Sequence, residues 1–344
     1  MPLLTHADKA LWRLALPMIF SNITVPLLGL VDTAVIGHLD SPVYLGGVAI
    51  GATATSFLFM LLLFLRMSTT GLTAQAFGAK NPQALARALV QPLLLALGAG
   101  LLIVLFKTPL INLALSIVGG SGEVLEQARR FLAIRWLSAP AALANLVLLG
   151  WLLGVQYARA PVVLLIVGNV LNIVLDLWLV MGLHMNVQGA ALATAIAEYA
   201  TLLVGLGMAR KVLVMRGISW AMLKTAWQGD FRRLLALNRD IMLRSLLLQL
   251  CFGAITVFGA RLGSEVVAVN AVLMTMLTFT AYALDGFAYA VEAHPGQAYG
   301  ARDGSTLLEV WRAACCQAGV VALAVALIYA PPGSPSLSLL ASLP

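Results

Sequence analysis

Nine stretches of this chain approach or exceed the twenty or so apolar residues that cross a bilayer as a helix. They fall at 11–36, 46–72, 88–106, 131–153, 162–184, 190–208, 241–260, 268–292 and 313–330. In hydrocarbon every backbone polar group needs a partner within the element, so a run of this kind is read as a helix. Composition agrees: 61% of the 344 residues are apolar and 10% charged, against about 25% charge in a soluble domain. So little charge excludes a cytosolic enzyme or a nucleic-acid-binding module, and so much hydrophobicity excludes disorder. The chain reads as an all-α polytopic membrane protein bound to the lipid bilayer.

The net charge of +7 then reports topology rather than a polyanionic partner. With a cytoplasmic N-terminus, fourteen Lys and Arg residues fall on the cytoplasmic side and five on the other, as the positive-inside rule requires. The basic stretch 209–240 becomes a cytoplasmic linker, and its Trp220 and Trp227 place part of it on the membrane surface. The N-terminal segment lacks a small-residue cleavage site, so it reads as a first span. Cys251, Cys315 and Cys316 lie inside apolar runs without a CxxC, which gives neither a disulfide framework nor a metal site.

The chain repeats itself. AQAFGAKNPQ begins at residue 74 and GQAYGARDGS at 296, so Gln75 and Gln297 stand 222 positions apart. Each segment ends a second helix of its set, on the same side of the membrane, which makes the repeat parallel. Parallel repeats are one plan of secondary transporters, with the substrate site between the halves. The expected organisation is a six-helix lobe over 1–208, the linker 209–240, three helices of a second lobe over 241–330, and an atypical, uncharged, proline-rich tail over 331–344. Shifting the first six spans by 222 positions calls for three more helices. The expectation is therefore nine helices of twelve, in a truncated or frameshifted chain.

Ionisable and polar groups inside spans are costly and mark candidate sites. The first helix carries Asp32, with Ser21 about three turns earlier on the same face; Asn22 and Thr24 lie to either side. Pro17 and Pro26 remove ladder hydrogen bonds and permit a bend there. The fifth helix presents Asn169, Asn172 and Asp176 as one stripe, and the sixth presents Thr194, Glu198 and Thr201. Carboxylates and neutral oxygens in such a cage suit Na⁺, or a proton on a desolvated carboxylate. The eighth helix aligns Thr278, Tyr282, Asp285, Tyr289 and Glu292, and aromatic faces beside carboxylates suit an organic cation. Arg66 and Arg244 read as residues near span ends that snorkel to the surface. No Walker motif and no nucleophile–base pair is present, so no enzymatic activity and no cofactor are expected, and an ion gradient (H⁺ or Na⁺) is the expected driver.

The segments LALPMIFSNITVPLLGLVDTAVIGHL, TAQAFGAKNPQ, GNVLNIVLD, GAALATAIAEY and VEAHPGQAYGARD resemble the multidrug and toxic compound extrusion (MATE) family, and more closely its DNA-damage-inducible bacterial (DinF) branch. The resemblance covers roughly residues 8–330. It implies two six-helix lobes around a central cleft in the bacterial inner membrane, exporting cationic, lipophilic compounds against H⁺ or Na⁺. It places the coupling carboxylate on Asp32, the early helix proline on Pro17, and further coupling residues on Asn172, Asp176 and Thr194, with Na⁺ held among Asp32, Asn172, Asp176 and Thr194. Glu198, Tyr282, Asp285, Tyr289 and Glu292 remain cleft candidates from the stripe reading alone. Many members carry Gly-Asp where this chain has Gln156–Tyr157, and the position 222 after Asp32 is Ala254, so coupling is expected in the first lobe. The expected function is a monomeric antiporter for organic cations or amphiphiles. The alternatives are a flippase-like exporter of lipid-linked molecules and a non-transporting remnant.

Overall fold

The computed structural model describes residues 6–37, 39, 41–118, 122–157, 159–228 and 231–329. Within its helices the side chains of residues 20–33, and of several residues between 256 and 292, lie outside that description. Ser21, Asn22, Thr24, Pro26, Asp32, Tyr282, Tyr289 and Glu292 are therefore placed by helix alone, and the tail 331–344 lies outside the described residues.

The regular structure described is all helical: α1 (His6–Gly37), α2 (Pro42–Leu61), α3 (Phe64–Gly78), α4 (Pro82–Leu105), α5 (Lys107–Val118), α6 (Gly122–Arg135), α7 (Ala139–Gly154), α8 (Arg159–Asp176), α9 (Asn186–Met215), α10 (Trp220–Thr225), α11 (Arg232–Leu262), α12 (Ser264–Gly300) and α13 (Gly304–Tyr329). Some join into single crossings. Leu62 and Leu63 alone separate α2 from α3, and one 3-10 turn, Trp136–Ser138, links α6 to α7. A π-helical turn, Leu177–Gly182, extends α8. Among the described residues six segments, 43–78, 82–105, 122–154, 159–182, 186–215 and 304–327, are long and apolar enough to cross a membrane. The helices α1, α11 and α12, with 32, 31 and 37 residues, also exceed the length of a span. Each of the nine apolar runs falls on one of these segments.

α1 is helical throughout from His6 to Gly37, through both Pro17 and Pro26. α9 runs on to Met215 and α11 starts at Arg232, so only residues 216–231 lie between them, with α10 inside that stretch. Ser219 caps α10 by accepting from the Met222 amide.

The repeated motif builds the same turn twice. The amides of Ala79, Lys80 and Asn81 donate to the carbonyls of Gln75, Phe77 and Ala76; those of Ala301, Arg302 and Asp303 donate to Gln297, Tyr299 and Ala298. Lys80 and Arg302 take the left-handed conformation, φ 53° and 57°, that closes a helix C-terminus of this type. Asn81 then caps α4 by accepting from the Ala84 amide at 3.2 Å, and Asp303 caps α13 by accepting from the Thr306 amide at 3.2 Å. The short polar turns read from the sequence are two copies of one helix-stop, helix-start unit.

Between helices in lipid, close packing and interhelical hydrogen bonds replace the hydrophobic drive of water. α7 packs between α3 and α4, with Trp151 fully buried and its indole N–H donating to the Leu85 carbonyl at 3.0 Å. α12 packs along both α1 and α3. Leu11, Leu14, Ala15 and Met18 of α1 share a core with Ala293 of α12 and Ala314 of α13. Trp12 donates to Gln317 of α13 at 3.0 Å. The start of α1 thus lies against the second helix set while its length also packs on α8.

Candidate functional site

α8 brings Asn172 and Asp176, one turn apart, into the protein interior, where they are 3% and 1% exposed. The Asn172 amide donates to Thr194 Oγ1 of α9 at 3.3 Å, and that hydroxyl donates to the Ala190 carbonyl at 3.2 Å. Asn172 and Asp176 are the only two of eighteen residues in α8 that are both polar and buried. The π-helical turn begins at the residue after Asp176, a departure from α-geometry that often accompanies functional positions. The arrangement offers a carboxylate, an amide oxygen and a hydroxyl on adjoining helices, the donor set a hard cation or a proton uses. Asp32 stands on α1, which packs on α8; its side chain is outside the described residues. Pro17 of the same helix is half-buried.

Glu198 joins a different group, one turn further along α9. Its carboxylate takes Arg135 through both terminal nitrogens, at 3.0 and 2.8 Å, and accepts the Ser138 hydroxyl at 2.6 Å. The Asn145 amide donates to the Glu198 carbonyl at 3.0 Å, and the Tyr199 hydroxyl to the Leu137 carbonyl at 2.9 Å. Arg135 also sits 5.3 Å from the centre of the Phe59 ring. Four helices, α2, α6, α7 and α9, converge on this pair. Thr201, the last of that stripe, donates to its own helix at Ala197.

In the second helix set, Asp285 of α12 is half-buried and within electrostatic reach of Arg66. The expected snorkelling of Arg66 is overturned: it is 3% exposed, because α2 and α3 form one crossing and Arg66 lies in its interior. It heads a polar face of α3 made of Thr69, Thr70 and Thr73, which are fully buried, as is Ser68 on the other side of the helix, and it donates to Thr70 Oγ1 at 3.4 Å. Thr278 is exposed and donates to the Met274 carbonyl. Tyr282, Tyr289 and Glu292 of that stripe lie outside the described side chains. A third polar group joins the two halves of the fold: the Gln156 amide contacts His294 Nδ1 at 3.2 Å and donates to Gln297 Oε1.

Sequence reasoning did not single out Arg135, Ser138, Asn145 or His294. An arginine within a long apolar stretch is a readable signal for an internal ion pair. His294 carried none, since it sits at the end of a run.

Comparisons with known proteins agree on one family. The MatE family profile matches residues 17–178 and 241–342. DNA damage-inducible protein F of Escherichia coli K12 is 83% identical over the whole of this chain, which spans 75% of that protein. The probable multidrug resistance protein NorM of Thermotoga maritima is 28% identical over 60% of this chain and 45% of its own length. The multidrug export protein MepA of Staphylococcus aureus is 28% identical over 57% and 43%. Among solved structures, a MOP superfamily transporter from Pyrococcus furiosus superposes with a TM-score of 0.82 at 26% identity, covering 97% of this chain and 74% of its own. A MATE transporter in complex with MaL6 gives 0.83 at 25% identity over 98% and 75%. The profile match, the bacterial relative and the shared helical architecture together establish that this chain belongs to the MatE family of multi-pass membrane transporters.

Proposed function

We propose that the protein is an antiporter that exports organic cations or amphiphiles in exchange for H⁺ or Na⁺, with coupling in the first helix set. The observation that carries this reading is the burial of Asn172 and Asp176 beside Thr194 within an apolar bundle. A carboxylate is retained at such a position only if it repays the cost of burial, and an exchangeable cation does so. In this cycle, H⁺ or Na⁺ bound among Asp32, Asn172, Asp176 and Thr194 favours release of substrate outward. Its loss to the cytoplasm restores affinity for the next substrate, by linkage between the two ligands. Asp285 of α12, half-buried, is the carboxylate that a cationic substrate meets in the second helix set. The end carrying both repeat turns faces the cytoplasm, as the distribution of basic residues favours.

The relatives named for multidrug resistance and export support small organic substrates. The test is reconstitution of the 344-residue chain in liposomes with a fluorescent lipophilic cation and an imposed pH or Na⁺ gradient. Gradient-driven flux that Asp176→Asn abolishes, with reconstitution yield unchanged, is the expected result. Flux indifferent to both gradients overturns the reading, and flux equal in the variant removes Asp176 from the coupling site.

A further inference from the structure

Beside the crossing of α3 and α12 lies a cavity of about 710 Å³ walled by Gln75, Arg87, Arg233, Tyr299, Arg302 and Asp303. The three arginines come from three places: Arg87 from α4, Arg233 from the start of α11, and Arg302 from the turn before α13. Among the described residues none of them is in a salt bridge. Arg233 instead donates to Gln75 Oε1 at 2.5 Å, across from one helix set to the other. The one acid on the wall, Asp303, is occupied. Its oxygens accept from the Ser305 hydroxyl, the Thr306 amide and the Thr306 hydroxyl.

Three guanidiniums around the single Asp303 carboxylate leave an excess of positive charge on the wall, and guanidinium is the side chain best matched to phosphate oxygens. The height of the cavity is set by its neighbours. Gln91, on its wall, donates to the Ala226 carbonyl at 3.4 Å. The next residue, Trp227, is 53% exposed, and Trp220 of the same stretch is 70% exposed. Exposed tryptophans mark the headgroup layer, and basic pockets between spans at that level suit anionic headgroups.

We propose that this cavity binds a phosphate-bearing anion, and that its level in the membrane makes an anionic phospholipid headgroup the source. Bound there, the phosphate joins α4 of the first helix set to α11 and the α12–α13 turn of the second, so it holds the two sets together at this end. The site is independent of substrate and coupling ion.

The test uses the full chain in nanodiscs of phosphatidylcholine containing a minority of phosphatidylglycerol, with retained lipid counted by native mass spectrometry. The expected preference for phosphatidylglycerol is about thirtyfold, the worth of two net positive charges near a headgroup. It should vanish in Arg87→Gln/Arg302→Gln and persist in Lys224→Gln, a basic residue outside the cavity. All three positions are exposed, so each variant is expected to fold, and monodispersity checks it. No preference, or equal loss in the Lys224 variant, overturns the proposal. Binding of glycerol 3-phosphate to the detergent-solubilised chain, lost in the double variant and unaccompanied by a lipid preference, keeps the phosphate site and overturns its lipid source.

Discussion

Gly78 of α3 lies against the backbone of Gln297 in α12, so closely that a Cβ on Gly78 would stand 1.9 Å from the Gln297 carbonyl oxygen. The reverse contact has the same form. A Cβ on Gly300 would stand 2.0 Å from the carbonyl oxygen of Gln75. Gln75 and Gln297 are equivalent in the repeat, as are Gly78 and Gly300, so the two copies of the motif pack on each other about a local two-fold axis. The repeat is thus more than a trace of duplication: each copy supplies the glycine that admits the other's backbone. Because the opposing atom is backbone, neither side yields easily. Gly78→Ala and Gly300→Ala are each expected to cost about 1–3 kcal/mol, as overpacking does. Gly207→Ala on α9 meets nothing within 4 Å, and is expected to be neutral or to gain up to about 1 kcal/mol of helix propensity. Thermal unfolding of the three variants in one detergent checks the order.

The Arg135–Glu198 pair makes a second prediction. Their side chains are 11% and 21% exposed, and removing one partner of a pair so enclosed strands the other. Glu198→Ala is expected to destabilise the first helix set by about 3 kcal/mol, and Ser138→Ala by about 1 kcal/mol. Replacing both partners, Arg135→Met with Glu198→Leu, should cost less than Glu198→Ala alone. A double-mutant cycle on unfolding free energy measures the difference; equal costs would show the pair to be incidental.

How much of this was legible in the sequence differs between fold and site. Spans were legible because the bilayer fixes their length and hydrocarbon forbids other backbone structure. The stripe through Asn172 and Asp176 was legible because a helix carries spacing faithfully over one turn. Partner choice between helices was not. Thr194 and Glu198 share a face of α9, and spacing alone sent both to the α8 stripe. The structure gives Thr194 to Asn172 and Glu198 to Arg135, since the 3-10 turn after Arg135 brings Ser138 to the same carboxylate. Arg66 was misread for a related reason: an apolar run does not show where along a crossing the helix is interrupted. The departure at Gln156–Tyr157 also gains an account. Gln156 adopts φ 60° to end α7 and turns its amide to Gln297 and His294, a role that no local pattern announces.

Asp303 gives a prediction in pH. Its pKa lies below the ordinary carboxylate value, chiefly because the Thr306 side chain hydrogen-bonds to it, with the Thr306 amide next. A depressed folded pKa means that the cap's contribution is fully present above the unfolded value of about 3.9 and is lost as pH falls through the lower folded value. Asp303→Ala should therefore speed amide exchange at residues 305–307 relative to the parent chain at neutral pH. Once pH falls below that lowered folded value the two should converge. A difference that persists undiminished into acid would show that the carboxylate charge plays no part.

The last prediction separates the roles within the buried cluster. Asp176 carries the only charge among Asn172, Asp176 and Thr194, so Asp176→Asn should remove gradient-driven flux whichever ion couples. Thr194→Val keeps the shape but deletes one oxygen and the bond from Asn172. A proton needs only the carboxylate, whereas Na⁺ needs several oxygens to replace its water. If Na⁺ is the coupling ion, Thr194→Val should raise the Na⁺ concentration required for half-maximal flux by roughly tenfold, about what one lost ligand of 1.4 kcal/mol implies. If H⁺ couples, the same variant should leave the pH dependence of flux within about a factor of two, because a hydroxyl one helix away contributes little beyond orientation. Measuring flux against Na⁺ at fixed pH, and against pH without Na⁺, in both variants decides between the ions. An Asp176→Asn chain that still transports in both series would remove this cluster from the coupling mechanism and leave Asp32 of α1 as its carboxylate.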